Sequence, residues 1–271
     1  MPANNKRSYA IGVFDSGLGG LTVVKELIRQ LPGENIVYFG DTARVPYGTK
    51  SRESIIRFSK ENVSLLLRHK VKMIVIACNT SSSLALGVLK KQFSIPIVGV
   101  IEPGARKAVQ AARNKKIGVI ATIATVNSRA YTKSIKRLNR HMKVFSQPCP
   151  LFVPLAEEGW FNKKITFDVA REYLKTIRNF KADAVILGCT HYPLLKNVVQ
   201  KVLGPRVRLI DSAKEVAIEV KKLLNKEGLG RPGQGRGRHS FLVSDAPQHF
   251  KKLARQFLGR EIQNVKRTNH V

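Results

Sequence analysis

The chain has 271 residues, 43% hydrophobic and 24% charged, a composition that excludes a disordered chain and allows a full core. No apolar run approaches the roughly 20 residues that span a bilayer. The opening "MPANNKRSYAIGVF" holds no signal-peptide core, and three cysteines (Cys78, Cys149, Cys189) make no disulfide framework, so no membrane role and a cytoplasmic location are expected. The charge is unusual: 48 Lys and Arg against 18 Asp and Glu give a formal +30, and no acidic residue lies between Pro103 and Ala156. Such an excess fits either a solvated basic surface or a weak, salt-sensitive association with nucleic acid.

Taken in order, apolar runs alternate with amphipathic segments, the pattern of parallel βαβ units. Strands are expected near 10–14, 35–39, 72–77, 97–100, 116–121, 143–147, 183–187 and 207–210. Helices are expected near 19–31, 51–69, 81–92, 103–113, 127–140, 166–179, 193–203 and 212–226. "GLGRPGQGRGRH", 228–239, is Gly/Arg-rich and reads as a mobile loop or connector, before "FLVSD" and "APQHFKKLARQFLG" supply a late strand and helix.

The pattern repeats. "AIGVFDSG" at 10–17 echoes "KIGVIATI" at 116–123, and "MIVIACNTSSSL" at 73–84 echoes "AVILGCTHYPLL" at 184–195, with Cys78 and Cys189 111 residues apart. Each half therefore holds an Ile-Gly-Val strand and a later strand that ends on a cysteine. The expected fold is α/β, with two similar open-sheet lobes related by pseudo-twofold symmetry and an active site in the cleft between them. Ligands in such sheets sit at the strands' C-terminal ends.

A single Cys at the end of an apolar strand is usually a small core residue. Two at matching positions, each beside polar groups at a helix start, point instead to reactive thiols, because orphan N–H groups there favour a thiolate. Pro193 suits the first turn of its helix. The same N–H groups, with Asn79, Thr80 and Thr190, could hold a carboxylate. Zinc is disfavoured because Cys189-Thr190-His191 lacks ligand spacing, and a regulatory Cys78–Cys189 disulfide is rare in the cytoplasm. A proton acceptor on one side of a carbon and a donor on the other is what inversion of a stereocentre requires.

"FDSGLGGLTV", "DTARVPYG", "ACNTSS", "LFVPLAEEG" and "GCTHYPLL" together resemble the glutamate racemases, over essentially the whole chain from about Ile11. The resemblance implies a two-base racemase without metal or other cofactor, interconverting L- and D-glutamate through a carbanionic intermediate and supplying D-glutamate for peptidoglycan. It implies Cys78 as the base for D-glutamate and Cys189 for L-glutamate, with Asp15 near Cys78 and His191 near Cys189. It further implies Ser16, Tyr47, Gly48, Asn79, Thr80, Thr190 and His191 around the substrate, Glu157 as a further carboxylate, and a homodimer. It places residues 1–98 and 208–271 in one lobe and 99–207 in the other. Read without the resemblance, Asp15 fits a helix N-cap, His191 a hydrogen-bonded scaffold residue, and Glu157 with Glu158 an exposed acidic pair. Thr122 and Thr125 are weaker candidates for the substrate carboxylate, and Cys149 is read as structural.

Three rivals remain. "IGVFDSGLGGLTVVKEL" followed by Asp41 imitates a dinucleotide fingerprint, but Thr22 stands where the third Gly or Ala belongs, and Asp15 crowds the pyrophosphate position. A primary nucleic-acid-binding role lacks aromatic residues among the basic runs. An aspartate racemase of the same superfamily is nearest, and His191-Tyr192-Pro193 after the second Cys favours glutamate.

Overall fold

A computed structural model describes residues 6–233 and 235–269. Residues 1–5, 234 and 270–271, which the sequence reading assigns to the first lobe and its Gly/Arg-rich connector, lie outside the described residues. Two parallel sheets organise the molecule. The larger takes β1 (Ala10–Asp15), β2 (Ile36–Gly40), β3 (Val71–Ile76), β4 (Ile97–Gly99), β9 (His239–Val243) and β10 (Val265–Arg267), in the order β10-β9-β2-β1-β3-β4. The smaller takes β5 (Lys116–Ala121), β6 (Lys143–Pro148), β7 (Ala184–Gly188) and β8 (Arg208–Asp211), in the order β6-β5-β7-β8.

The repeat in the sequence is a repeat in register. β2-β1-β3-β4 and β6-β5-β7-β8 have the same order. Gly12 of β1 pairs with Ile74 of β3, and Gly118 of β5 pairs with Val185 of β7. Cys78 follows Ile74 by four positions, and Cys189 follows Val185 by four. Both thiols therefore leave the C-terminal end of the same strand of the same four-stranded unit.

Helices cover the sheets on both faces, which is why the strands read as unbroken apolar runs. Along β1 and β3 the side chains alternate. Ile11, Val13, Met73 and Val75 enter a core with Leu21, Leu27, Val216, Val220 and Phe257, while Phe14, Ile74 and Ile76 enter another with Leu65, Leu66 and Leu89. The first of these faces is closed by α1 (Leu21–Gln30), α11 (Ser212–Lys226) and α12 (Pro247–Leu258), the second by α2 (Arg52–Arg68) and the short α3 (Asn79–Leu84) and α4 (Leu86–Gln92). The smaller sheet is flanked by α5 (Ile101–Ala111), α6 (Ile123–Asn127), α7 (Ala130–Leu138), α8 (Phe152–Glu157), α9 (Lys164–Asn179) and α10 (Lys196–Leu203). Ser51 caps α2 by accepting from the Ser54 N–H at 3.2 Å, and Asp211 caps α11 by accepting from Ala213 at 2.9 Å.

Four details depart from the sequence reading. The helix expected over 127–140 is the shorter α7, which starts only at Ala130 because Arg129 before it is left-handed, with a φ of 55°; the separate α6 ends at Asn127. The segment 152–157 forms a helix that no amphipathic pattern announced. β8 pairs with β7, so the smaller sheet runs on to Asp211 rather than stopping at residue 207. The described part of 228–239 is a connector, as expected, but it is anchored. Arg231 N–H donates to Glu34 Oε1 at 2.8 Å, and Gly237 N–H donates to Pro32 O at 2.8 Å. A Cβ at Gly237 would lie 1.9 Å from Glu34 O, so only glycine fits this contact. Among the described residues no helix is long and apolar enough to cross a membrane.

Candidate active site

A cavity of about 290 Å³ lies where the C-terminal ends of the two sheets face one another. Both Cys78 and Cys189 line it, with Ser16, Tyr47, Gly48, Asn79, Thr80, Glu157, Thr190 and His191. Each lobe supplies one thiol to a space the size of a small amino acid.

The surroundings of the two sulfurs differ. Cys78 caps α3: its Sγ accepts from the Ser81 N–H at 3.5 Å and lies 3.9 Å from Ser16 Oγ. Burial, with the nearby Asp15 charge, pushes its pKa up to about 12 against the pull of the Ser81 N–H. Cys189 Sγ lies 3.8 Å from His191 Nδ1, and the ring's Nε2 lies 2.9 Å from Glu157 Oε1. Burial alone would lower the His191 pKa. Hydrogen bonds to Cys189 and Glu157, and the charges of both, outweigh it and carry His191 up to about 10. One sulfur faces a carboxylate, the other an imidazolium.

Asp15 is fully buried and stands behind the cavity rather than on its wall. It accepts from the Gly17 N–H at 3.1 Å, and Thr190 Oγ1 lies 3.4 Å from its other oxygen, so it joins the lobes through Thr190. Burial raises its pKa, opposed by His191 and by the N–H groups of Gly17, Gly20 and Ser16. The lobes touch again at Gly19, where a Cβ would lie 2.2 Å from Thr190 Oγ1 and 2.7 Å from His191 Nδ1. Thr122 lines the cavity; Thr125 sits behind it, 3.0 Å away, and both reach Thr80 of the other lobe, at 3.0 and 3.3 Å. Tyr47 presents its ring but not its hydroxyl, which donates to buried Asp41 and accepts from Asn62 Nδ2 at 3.1 Å. Asp41 also accepts from Ser244 at 3.0 Å and pairs with Arg44. The carboxylate that imitates a ribose ligand is thus a support for the Tyr47 loop. Asn79 is held by its Oδ1, which accepts from Tyr131 at 2.7 Å, while its buried Nδ2 has no protein partner. That donor is suited to an anionic ligand oxygen.

Residues 11–220 match the family model for Asp/Glu/hydantoin racemases. A glutamate racemase of Geobacter metallireducens is 50% identical over 256 residues, 94% of this chain and 95% of that protein. The chain belongs to the glutamate racemase family. A crystal structure of a Francisella tularensis glutamate racemase in complex with D-glutamate superposes with a TM-score of 0.91 at 40% identity, covering 97% of this chain and 98% of that one. A Bacillus anthracis glutamate racemase, isoform RacE1, gives a TM-score of 0.93 at 39% identity, over 96% and 97% of the two chains.

Beyond the residues expected for a glutamate racemase, the cavity wall includes Val45, Pro46, Thr49, Ile123, Pro150, Val153 and Pro154. Val45, Pro46, Val153 and Pro154 lie inside the motifs quoted above, but as apolar residues they carry no chemical signal. Cys149 is fully buried in the core with Phe152 and Tyr192, and burial pushes its thiol pKa far up.

Proposed function

We propose that this chain racemises glutamate by two-base proton transfer between Cys78 and Cys189, without a cofactor, and supplies D-glutamate for peptidoglycan. The observation that carries the reading is that corresponding strand ends of two like sheets deliver one thiol each to a single small cavity. In one direction the Cys189 thiolate removes the α-proton of L-glutamate and the Cys78 thiol protonates the opposite face; in the other the roles exchange. The proton taken by one sulfur is balanced by the proton given by the other, so each turnover leaves the pair with its protonation swapped.

The electrostatics support both half-reactions. His191, paired with Glu157, offers a positive charge to a Cys189 thiolate. Cys78 in the ligand-free protein is a thiol at neutral pH, ready to donate. To act as a base it needs a nearby cation, and the α-ammonium of glutamate is one. At about 4 Å and an effective dielectric constant near 20, such a charge is worth roughly 4 kcal/mol, or about three pKa units. Asn79 Nδ2, with the Thr80, Thr122 and Thr190 hydroxyls, is suited to the substrate carboxylates. The Francisella relative in complex with D-glutamate supports this choice of ligand.

The test is incubation with L-glutamate in deuterium oxide, following loss of circular dichroism and entry of deuterium at the α-carbon. Racemisation with one solvent deuteron in the D-product, and little in remaining L-glutamate early on, is the two-base outcome. Rapid deuteration of L-glutamate without inversion would point to a single base. Inversion of L-aspartate at the same rate would move the substrate to the shorter homologue.

A further inference from the structure

A cleft of about 770 Å³ lies at the opposite end of the smaller sheet from the active site. It is framed by the segments that enter β7 and β8 and by the loop after α5. Its charged lining is Arg113, Arg178, Lys181, Arg206 and Arg208 against one carboxylate, Asp183. All five basic residues are exposed, and among the described residues none of them forms an ion pair. Other arginines do: Arg106 pairs with Glu219, and Arg137 with Glu102. Asp183 is partly committed, since one oxygen accepts from the Asn114 N–H at 2.5 Å.

The sheet register extends this charge along the same edge. Lys116, which opens β5, stands directly opposite Lys143, which opens β6, with Lys115 beside them. Like charges placed opposite each other oppose strand pairing, and an anion bridging them relieves that repulsion. Eight of the chain's basic residues therefore share an edge that racemisation does not use.

We propose that this basic edge docks the phosphate backbone of double-stranded nucleic acid, independent of sequence. Four of the five cleft residues are arginines, whose planar forks suit phosphate oxygens. The side chains are solvated and spread across an open cleft, which suits a repeating anion rather than one enclosed ion. No aromatic side chain lines the cleft, so nothing there stacks unpaired bases, and the contacts go to the duplex backbone. Because the cleft opens away from the substrate cavity, duplex binding leaves racemisation unchanged.

The test is fluorescence anisotropy of a short labelled duplex between about 50 and 200 mM salt. Each phosphate contact contributes roughly −0.9 to the slope of log K against log salt, so four to five contacts give a slope of about −4. The triple variant Arg178→Glu, Arg206→Glu, Arg208→Glu should bind at least tenfold more weakly, with a slope smaller by about 3. Its Ala counterpart keeps the test open if charge reversal impairs folding. An equal reversal at exposed Lys221, Lys251 and Lys252 on the larger lobe should leave affinity within threefold. Equal weakening by both reversals, an unchanged slope, or tighter binding of a single strand of the same length would each overturn the proposal. Racemase activity, measured in parallel, reports separately on the active site.

Discussion

Replacing Gly19 by Ala tests whether contact between the lobes sets the geometry of the Cys189 side. The added methyl would lie 2.2 Å from Thr190 Oγ1, 2.7 Å from His191 Nδ1 and 2.8 Å from His191 Cε1, where ordinary contacts begin at 3.4 Å. Relief needs a displacement of about 1 Å, and two of the three atoms in the way belong to the ring that faces Cys189 Sγ. Overpacking of this kind costs about 1–3 kcal/mol, and a displacement near 1 Å at a catalytic group costs about 100-fold in rate. Circular-dichroism assays should show kcat/KM falling about 100-fold, by the same factor for both enantiomers, because the proposed two-base cycle engages both thiols in every turnover. The melting temperature should fall by about 2–4 °C per kcal/mol lost. Gly87→Ala, at an exposed helical position with nothing within 4 Å of the added methyl, should retain full activity and gain about 0.5–1 kcal/mol. A folded Gly19→Ala protein with activity within threefold of the parent would refute the idea that the lobes meet in this register during catalysis.

Glu157→Gln removes a hydrogen bond and a charge that raise His191, so its pKa should fall from about 10. Because His191 is raised on folding, its contribution to stability is full below the ordinary histidine range and is lost as pH rises toward 10. In the variant that loss should begin at lower pH, as read by imidazole NMR titration and melting at several pH values; an unchanged titration would contradict the coupling. Asp15→Asn leaves Cys78 buried but removes the adjacent charge, so the Cys78 pKa should drop from about 12. Mass-spectrometric mapping of alkylation against pH would show Cys78 reacting at lower pH, and no change would mean that Asp15 does not act on that sulfur. Lys70, with a φ of 52° just past α2, holds a left-handed conformation that costs a non-glycine residue about 1–2 kcal/mol. After glycine's own entropy cost, Lys70→Gly should stabilise by about 0.5–1 kcal/mol, and a lower melting temperature would count against it.

The strands were legible because both faces of each sheet are covered, which leaves runs such as "MIVI" and "AVIL" unbroken by polar residues. The repeat was legible for the same reason: equal register puts equal spacing between Gly-containing strands and cysteines. α8 was not, since Pro150 and Pro154 suggest irregular chain; Pro154 falls in the helix's first turn, where its missing N–H costs little. The supporting contacts were also hidden. Asp15 with Thr190, Gly19 with His191, and Asp41 with Ser244 join segments more than 170 residues apart, and no local pattern encodes such pairs. Asp41 shows how a motif misleads: a carboxylate at a strand end invites a ligand, yet here it supports a tyrosine.

The unlike neighbours of the two sulfurs have a consequence for an otherwise symmetric reaction. A free amino acid and its mirror image have equal energy in water, so the equilibrium constant is one and the specificity constants of the two directions must match. The protein is under no such symmetry, with an acidic group behind one sulfur and a cationic ring beside the other. The two resting forms of the proposed two-base cycle, differing only in which sulfur holds the proton, therefore lie at different energies. Any difference in maximal velocity between the directions must then be matched by an equal ratio of Michaelis constants, a chirality of timing imposed by the enzyme on a balanced exchange.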